Sequence, residues 1–323
     1  MEKAFILFSG GLDSIIAVKL LRNFGFNVIG VHFRTPFFGK EKEELEHLAK
    51  ALDIELLVSD ITEDFLPVLK NPPNGYGKNI NPCIDCKALM LKKLKGIAGE
   101  NIIATGEVLG QRPMSQRGVS LKKIEKIAGL ERRVFRPLSA KVLPKTVYEE
   151  EGIVDIDCFL DIKGRSRKQY PKIIKELSID IENLPTPAGG CLLTESSYVP
   201  KVKDLIENNQ LTVKDAELLK IGRHFRIGEA KLVVGKDRAE NEKLEKMFEG
   251  DEILLYTESV PGPSAILRWE DETGVILKCA EIVARYSKGK DRDVVAVIIE
   301  RADGKKEKLE VKPSSDIERF RIN

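Results

Sequence analysis

The sequence predicts an α/β protein in which a doubly wound parallel sheet is followed by a smaller α+β domain. Short β-branched runs alternate with helical patterns in the first half of the chain, as in sheets covered by helices on both faces. The predicted strands are Ala4–Phe8, Val28–Phe33, Glu55–Ser59, Asn101–Thr105 and a short fifth, Val134–Pro137. The predicted helices are Ser14–Asn23, Lys40–Leu52 and Lys87–Lys95. Ligands of such sheets bind beyond the carboxyl ends of the strands.

The texture of the sequence changes near residue 195, where we place a domain boundary. Beyond it the predicted helices are Tyr198–Asn208, Thr212–Lys220 and Val275–Tyr286, and the predicted strands are Lys231–Gly235, Glu252–Tyr256 and Asp293–Ile299. Thr212 and Asp215 form a capping pair at the start of their helix. The predicted domains are therefore 1–195 and 196–323.

The composition is that of a soluble globular protein, with 42% hydrophobic and 32% charged residues among 323. No run of about 18 apolar residues is present, which predicts no membrane span. The apolar run at the start of the chain is shorter than a signal-peptide core and has no cleavage site. We therefore expect a cytoplasmic protein.

The formal net charge is only +2, but the basic residues are concentrated in two segments. Ten Lys and Arg side chains and two acids lie between Gln111 and Lys145, and six basic residues and no acid lie between Lys163 and Lys175. Such segments either face solvent as ordinary helix surfaces or present a surface to phosphate groups.

The segment Ser9–Ser14 has the features of a phosphate-binding loop. Its letters, SGGLDS, follow a buried strand and open a helix. Two glycines allow the backbone to approach an anion, and the exposed N–H groups at the helix start bind phosphate. Asp13 would repel phosphate unless Mg²⁺ lies between them. The Walker pattern is absent, which excludes a P-loop kinase or GTPase.

SGGLDS resembles the signature of the PP-loop (N-type) ATP pyrophosphatases, whose fold is of the adenine nucleotide alpha hydrolase type. These enzymes adenylate a carbonyl or carboxylate oxygen and release pyrophosphate, and a nucleophile then displaces AMP. The resemblance implies that Ser9, Gly10, Gly11, Asp13 and Ser14 bind the pyrophosphate portion of ATP–Mg²⁺. It also implies that His32 and Phe33, at the end of the second strand, lie against adenine, and that Gly106 lies near the ribose and α-phosphate.

Three of the five cysteines fall in places that suggest ligation or redox chemistry. Cys83 and Cys86 stand at i and i+3, so both thiols share one face of a helix start. Cys191 follows the Pro- and Gly-rich stretch Pro185–Gly190, which predicts a loop. A 4Fe–4S cluster, a persulfide relay, zinc and inert packing all remain open. Cys158 and Cys279 lie in apolar runs and are predicted to be core residues.

Together with SGGLDS, the three cysteines resemble those of the iron–sulfur-dependent branch of tRNA thiolation enzymes, related to the tRNA thiouridine synthetases. This resemblance implies that Cys83, Cys86 and Cys191 hold a 4Fe–4S cluster whose free iron binds the sulfide that attacks the adenylated base. Asp13 and the three cysteines are then the catalytic residues.

Four short segments near the end of the chain resemble, in their order, the NFACT-R RNA-binding domain over about residues 213–323. They begin at Gly222, Val234, Val260 and Ala284. Their cations and aromatic rings suit contacts with RNA phosphates and bases. The candidate RNA-binding residues are Arg223, Arg226, Arg285 and Lys288, with Arg165, Arg167 and Lys168 on the first domain.

The function predicted from these features is that of a tRNA sulfurtransferase, which adenylates a uridine carbonyl with ATP and replaces its oxygen with sulfur. The product is 4-thiouridine or 2-thiouridine, and the sulfur donor is a cysteine desulfurase or inorganic sulfide. The alternatives are a sulfur transferase or amide-forming ligase that acts on a small molecule through an acyl-adenylate, and an RNA-binding protein whose nucleotide loop is regulatory. A homodimer is left open by the sequence.

Overall fold

The structure is a computed structural model that describes residues 2–181, 190–269 and 272–323. The chain divides into two units, Met1–Glu195 and Ser196–Asn323. The loop predicted at Pro185–Gly190 lies outside the described residues except for Gly190.

A four-stranded parallel sheet forms the N-terminal unit, in the strand order β3–β2–β1–β4. Its strands are β1 (Lys3–Leu7), β2 (Asn27–Arg34), β3 (Glu55–Asp60) and β4 (Ile102–Thr105). Its helices are α1 (Leu12–Phe24), α2 (Lys42–Leu52), α3 (Thr62–Lys70), α4 (Cys83–Ala98), α5 (Gly118–Ala128), α6 (Val147–Glu150) and α7 (Tyr170–Glu176). The predicted α/β class is confirmed.

Apolar side chains cover both faces of this sheet because successive residues of a strand point to opposite sides. Ala4 and Ile6 of β1 belong to the core under α1 and α2, whereas Phe5 belongs to a second core under α4 and α5. The strand therefore reads as a continuous hydrophobic run, as expected for a sheet that is buried on both faces.

The predicted fifth strand at Val134–Pro137 is wrong. Only one parallel bridge forms there, between Ala104 of β4 and Phe135. The backbone of Phe135 donates to Ile103 at 2.8 Å and accepts from Thr105 at 3.0 Å. Pro137 has no N–H to continue the ladder, so the pairing ends after one residue.

The C-terminal unit contains a six-stranded antiparallel sheet in the order β10–β9–β7–β8–β6–β5. Its strands are β5 (Arg223–Ile227), β6 (Ala230–Val234), β7 (Ile253–Thr257), β8 (Ser264–Arg268), β9 (Val295–Arg301) and β10 (Lys306–Val311). Its helices are α8 (Val199–Glu207), α9 (Val213–Leu218), α10 (Arg238–Met247) and α11 (Thr273–Arg285). The predicted cap of α9 is present, since Asp215 N donates to Thr212 Oγ1 at 3.2 Å. Across the described residues, no helix combines the length and apolar character needed to cross a membrane.

The two cysteines predicted as core residues differ in their outcome. Cys279 is completely buried in the core of the C-terminal unit, as predicted. Cys158 is exposed, so its prediction is wrong. It ends a short 3-10 turn whose neighbours, rather than Cys158 itself, enter the core: Phe159 is 2% exposed.

His224 of β5 is buried with 1% of its surface exposed, and this predicts a pH-dependent stability of the C-terminal unit. Burial lowers the pKa of His224 well below its usual value, and the Lys231 and Lys201 ammonium groups act in the same direction. In the unfolded chain, His224 therefore takes up a proton near pH 6.5, whereas in the folded unit it stays neutral at that pH. We expect the free energy of unfolding to fall by up to about 1.4 kcal/mol per pH unit below pH 6.5.

Urea unfolding at several pH values, followed by fluorescence, measures this effect. The chain has one tryptophan, Trp269, which belongs to the C-terminal unit and reports on it. His224→Gln should flatten the slope below pH 6.5, whereas His47→Gln, at an exposed histidine of α2, should leave it unchanged. An equal slope in wild-type protein and His224→Gln would contradict the assignment to His224.

Candidate active site

The loop after β1 has the local geometry of an anion-binding turn. Gly10 adopts a φ of +66°, a conformation that glycine tolerates best. Ser14 Oγ donates to the Gly11 carbonyl at 2.7 Å, and Gly11 N donates to Ser9 Oγ at 3.3 Å. Side chains thus fix the turn at the start of α1, and its backbone N–H groups lie where a helix begins.

Gly106 makes the closest backbone approach in this region. A Cβ atom on Gly106 would lie 2.8 Å from the carbonyl carbon and oxygen of Asp13 and from Cα of Ser14. The chain leaving β4 therefore packs directly on the phosphate loop, at the sheet position where the strand order reverses. This contact explains the need for glycine at 106; the expected role near the ribose stays a prediction.

The Asp13 carboxylate is held by side chains from distant segments of the same unit. Arg167 Nη2 lies 3.0 Å from Oδ2, and the Tyr170 hydroxyl donates to Oδ1 at 2.5 Å. The Gln111 amide nitrogen also donates to Asp13. Arg167, expected from the sequence to contact RNA, instead pairs with the phosphate loop.

The two residues expected against adenine are both buried. His32 is 4% exposed, and its Nδ1 donates to the Phe8 carbonyl at 2.7 Å. Burial lowers the pKa of His32, although the bond to Phe8 acts in the opposite sense. Phe33 is 5% exposed and packs in the core under α4 and α5. His32 therefore supports the backbone directly before the phosphate loop, whereas Phe33 belongs to the core, and the expected contacts with adenine stay a prediction.

The three cysteines singled out by the sequence lie near one another. Cys83 and Cys86 occupy the first turn of α4, and Cys191 lies close enough for its charge to raise the pKa of Cys86. Asn81 Nδ2 donates to Cys83 Sγ at 3.0 Å. Asn79 Nδ2 donates to the Thr194 carbonyl at 2.5 Å, which joins the loop before α4 to the segment that carries Cys191.

Burial keeps the thiols of Cys86 and Cys191 protonated in the absence of a cation. Burial raises the pKa of Cys86, and the charges of Cys191 and Cys83 raise it further. Burial also raises the pKa of Cys191 to about 11, against the effect of hydrogen bonds from the Leu193 and Thr194 backbone. A bound metal would supply the positive charge that stabilises the thiolates.

The donor chemistry of this group fits a thiolate-bound cluster. Within residues 2–181, 190–269 and 272–323, no three His, Cys, Asp or Glu side chains are arranged as a metal site. The 4Fe–4S cluster therefore stays a prediction.

A buried ion network connects the cysteine helix to the end of β4. Glu107 pairs with Lys87, which directly follows Cys86, and with Arg136 Nε at 3.1 Å. Arg136 Nη1 also contacts Glu125 at 2.5 Å. Burial alone would raise the pKa of Glu107, but Lys87 and Arg136 outweigh it and hold the pKa below its usual value. Removal of one charge from such a buried pair costs about 3–5 kcal/mol.

The candidate RNA-binding residues fall into two groups. Arg165, Lys168 and Lys288 are exposed, and Arg285 is half-buried on α11. Arg226 is engaged within its own unit, since its Nε and Nη2 contact Asp204 at 2.9 and 2.7 Å. Arg223 lies over the Tyr286 ring at 4.7 Å. Phe225 is completely buried, so it is no stacking platform.

Several polar residues of the site carry no signal of their own in the sequence. Tyr170, Gln111, Glu107 and Asn81 stand outside the phosphate signature and outside the cysteine pattern. Gln111 and Glu107 follow Gly106 within five residues, so their position after β4 was the available clue. Tyr170 reaches Asp13 over 157 residues of sequence, and only the fold shows this contact.

Two domain families match this chain. Residues 2–126 match the tRNA methyl transferase HUP domain, and residues 222–321 match the NFACT protein RNA binding domain. The tRNA-specific 2-thiouridylase MnmA of Geotalea uraniireducens (strain Rf4) is 32% identical over 129 residues, which cover 32% of this chain and 34% of the relative. MnmA of Clostridium perfringens (strain 13 / Type A) is 34% identical over 126 residues, which cover 32% and 35%.

The chain spans about a third of the length of these curated relatives. Among solved structures, a 4-thiouridine synthetase crystallised with RNA and bound ATP is 22% identical, covering 65% of this chain and 53% of that one. Its TM-score of 0.35 is too low to establish a common fold. The domain matches agree with the resemblance inferred from the sequence: residues 2–126 are similar to the tRNA methyl transferase HUP domain, and residues 222–321 are similar to the NFACT protein RNA binding domain.

Gly106→Ala should disturb the phosphate loop because the added Cβ meets backbone atoms that cannot rotate away. We expect a loss of about 1–3 kcal/mol in the free energy of unfolding, typical of overpacking, together with weaker ATP binding. Chemical denaturation followed by circular dichroism, and equilibrium dialysis with ATP–Mg²⁺, measure the two effects.

Gly96→Ala is the matched control. Gly96 lies inside α4, and a Cβ atom there meets nothing within 4 Å. Alanine at this position should stabilise the helix by about 0.5–1 kcal/mol and leave ATP binding unchanged. If Gly106→Ala behaves like Gly96→Ala, the close approach of β4 to the loop is not a constraint.

Proposed function

We propose that this protein is an ATP-dependent tRNA sulfurtransferase, which adenylates the carbonyl oxygen of a uridine and replaces it with sulfur. The observation that carries the proposal is the presence, in one unit, of a phosphate loop with an acidic residue and a group of three neighbouring cysteines. The relatives named above are tRNA-specific 2-thiouridylases, and the second unit matches an RNA-binding domain.

Adenylation requires a site that holds the triphosphate and orients its α-phosphorus. The N–H groups at the start of α1 and the hydroxyls of Ser9 and Ser14 supply neutral donors for phosphate oxygens. Lys40 packs its Cδ against Gly10, and its ammonium group pairs with Glu44 in this structure. Asp13 binds Mg²⁺ of the ATP complex, which removes its repulsion of phosphate. The uridine oxygen then attacks the α-phosphorus, and pyrophosphate leaves.

Sulfur transfer requires that a sulfur nucleophile, rather than water, attacks the activated carbon. Cys83, Cys86 and Cys191 are each partly buried and lie within one unit with the phosphate loop. Inorganic sulfide, as HS⁻ beside these thiols, attacks the activated carbon directly. If a cysteine desulfurase supplies the sulfur, its persulfide passes the outer sulfur to one of these thiols, and that sulfur attacks the carbon. The bond from that carbon to the oxygen of AMP breaks, and AMP leaves. In the desulfurase route, a second thiol of the group then cleaves the S–S bond and releases the thiolated base, which leaves a disulfide that an external dithiol reduces before the next turnover.

The resemblance of the cysteine pattern further suggests that the three thiolates hold a 4Fe–4S cluster. Such a cluster, held by three thiolates, leaves one iron open, which provides a binding site for sulfide. The residues that would hold the cluster are Cys83, Cys86 and Cys191, because thiolates are the usual ligands of iron–sulfur clusters. The alternative that the same three cysteines allow is a persulfide relay.

A tRNA substrate fits the charge distribution of the first unit. Nine of the ten basic residues between Gln111 and Lys145 are exposed, and only Arg136 is buried. Exposed cations of this density bind the phosphate backbone, and binding should weaken as salt increases. The target base must leave its stack for its carbonyl to reach the α-phosphorus.

The first test separates adenylation from sulfur transfer. We expect wild-type protein to release pyrophosphate from ATP only with tRNA, and to form AMP and thiolated tRNA. Cys83→Ala, Cys86→Ala and Cys191→Ala should release pyrophosphate in a single turnover but lose thiolation on the order of 10³-fold, and the triple variant should be no worse, because the three act as a unit. Radiolabelled ATP and mass spectrometry of tRNA nucleosides measure these products.

Cys158→Ala tests whether sulfur transfer is confined to this group. Cys158 is exposed in another part of the same unit, and we expect its variant to retain thiolation. A loss equal to that of Cys83→Ala would place a second sulfur-handling thiol outside the group. ATP turnover that is independent of tRNA and stimulated by a small carboxylic acid would favour the small-molecule ligase instead.

The second test addresses the cluster itself. Protein purified without oxygen should contain about four irons and acid-labile sulfides per chain, with the absorption of a 4Fe–4S cluster, and each of the three Ala variants should lose them. Stoichiometric zinc, or no metal in a protein that still thiolates tRNA, would exclude the cluster and leave the persulfide relay.

A further inference from the structure

We propose that Arg167 is a ligand of the nucleotide phosphates, and that Arg167 and Tyr170 close the phosphate loop by holding Asp13 until ATP–Mg²⁺ replaces them. This inference rests on the adenylation step of the proposed function. It assigns to the segment 163–170 a role that neither the sequence signature nor the domain matches give it.

Both carboxylate oxygens of Asp13 contact side chains of the segment 163–170. Arg167 Nη2 lies 3.0 Å from one carboxylate oxygen, and the Tyr170 hydroxyl lies 2.5 Å from the other. Both oxygens that would face Mg²⁺ are therefore occupied by protein groups. Asp13 is 21% exposed and Arg167 is 26% exposed, so the pair remains accessible to a ligand from solvent.

The segment that carries Arg167 is fixed to the chain that follows β4. Lys163 forms a parallel bridge with Leu109, and Gly164 N donates to the Leu109 carbonyl at 2.7 Å. The Ile162 carbonyl accepts from Ser139 Oγ at 2.6 Å. Tyr170 is 2% exposed and belongs to the core under α1. Arg167 therefore lies at the phosphate loop because both ends of its segment are anchored there.

The Arg167 side chain also has a hydrogen-bond donor that lacks a partner in the described part of the chain. Arg167 Nε is buried and has no hydrogen-bond acceptor among the residues that the structure describes. Buried guanidinium donors are normally satisfied, so an unsatisfied one beside an anion-binding loop indicates an acceptor that arrives with a ligand. A phosphate group accepts two parallel hydrogen bonds from one guanidinium, which suits Arg better than Lys.

These observations define an exchange of partners. In the closed state, the Arg167 charge neutralises Asp13, and the loop presents no net charge. When ATP–Mg²⁺ arrives, Mg²⁺ replaces Arg167 and Tyr170 at the carboxylate, and the released guanidinium turns to a phosphate oxygen. Each charge then has an opposite partner before and after binding, so neither state buries an unpaired charge.

The alternative for Arg167 is the role expected from the sequence, a contact with the RNA backbone. An RNA contact requires a cationic group that faces open solvent, and the neighbouring Arg165 and Lys168 are both exposed. Arg167 instead shares its charge with Asp13 and lies over the Tyr170 ring at 5.6 Å. The two roles predict different losses when the residue is changed.

The experiment is equilibrium binding of ATP–Mg²⁺ to the full chain without tRNA. Arg167→Gln should weaken binding at least about 10-fold, with Arg167→Lys intermediate, because only the guanidinium binds phosphate in a bidentate manner. Tyr170→Phe removes a competitor of Mg²⁺, so it should lower the Mg²⁺ concentration needed for half-maximal ATP binding. Lys172→Gln, which removes an exposed charge of α7, should leave binding unchanged.

The direction of the Tyr170→Phe effect separates this proposal from a purely structural role. A residue that only supports the fold would lower the unfolding temperature and raise the Mg²⁺ requirement. Unchanged ATP–Mg²⁺ affinity in Arg167→Gln would overturn the proposal, and a selective loss of tRNA binding would return Arg167 to the RNA surface. If wild-type protein binds no ATP–Mg²⁺, adenylation itself fails, and both proposals fail with it.

Discussion

The close backbone contact between the end of β4 and the loop after β1 is the constraint on which the rest of the N-terminal unit depends. Gly106 can lie against Asp13 and Ser14 only because it has no side chain. That contact brings the residues after β4 to the phosphate loop, so Glu107 and Gln111 follow directly into the site. Glu107 then binds Lys87 and thereby fixes α4, which carries Cys83 and Cys86. The phosphate loop and the helix that carries two of the cysteines are thus linked through the backbone at Gly106 and Glu107.

The sequence predicted the fold where its patterns are local. The strand at β1 and the helix that follows are visible because a buried run ends in two glycines, and the predicted cap at Thr212 is present for the same local reason. The predicted strand at Val134–Pro137 failed because a β-rich run was followed by Pro137, and pairing depends on a partner that the local sequence does not specify. Cys158 failed because an apolar run does not show which of its residues face the core.

The site was predictable to the extent that its residues share a motif. Cys83 and Cys86 are joined by helical spacing, whereas the proximity of Cys191 was inferred by resemblance and is supported by its effect on the pKa of Cys86. The contact of Arg167 and Tyr170 with Asp13 could not be predicted, because it depends on the pairing of Lys163 and Gly164 with Leu109. From the sequence alone, Arg167 was therefore predicted to belong to an RNA-binding surface together with its basic neighbours.

The position of the cysteines on α4 has a mechanical consequence. A helix of 16 residues that packs along the sheet through Ala88, Leu91 and Leu94 behaves as a stiff rod, and its first turn moves little unless the whole core moves. Cys83 and Cys86 therefore lie on a rigid element rather than on a mobile loop. In the proposed reaction, the target nucleotide rather than the cysteines would therefore move into position. Substrate selectivity would then favour polynucleotides that can bend far enough to bring a base to these thiols.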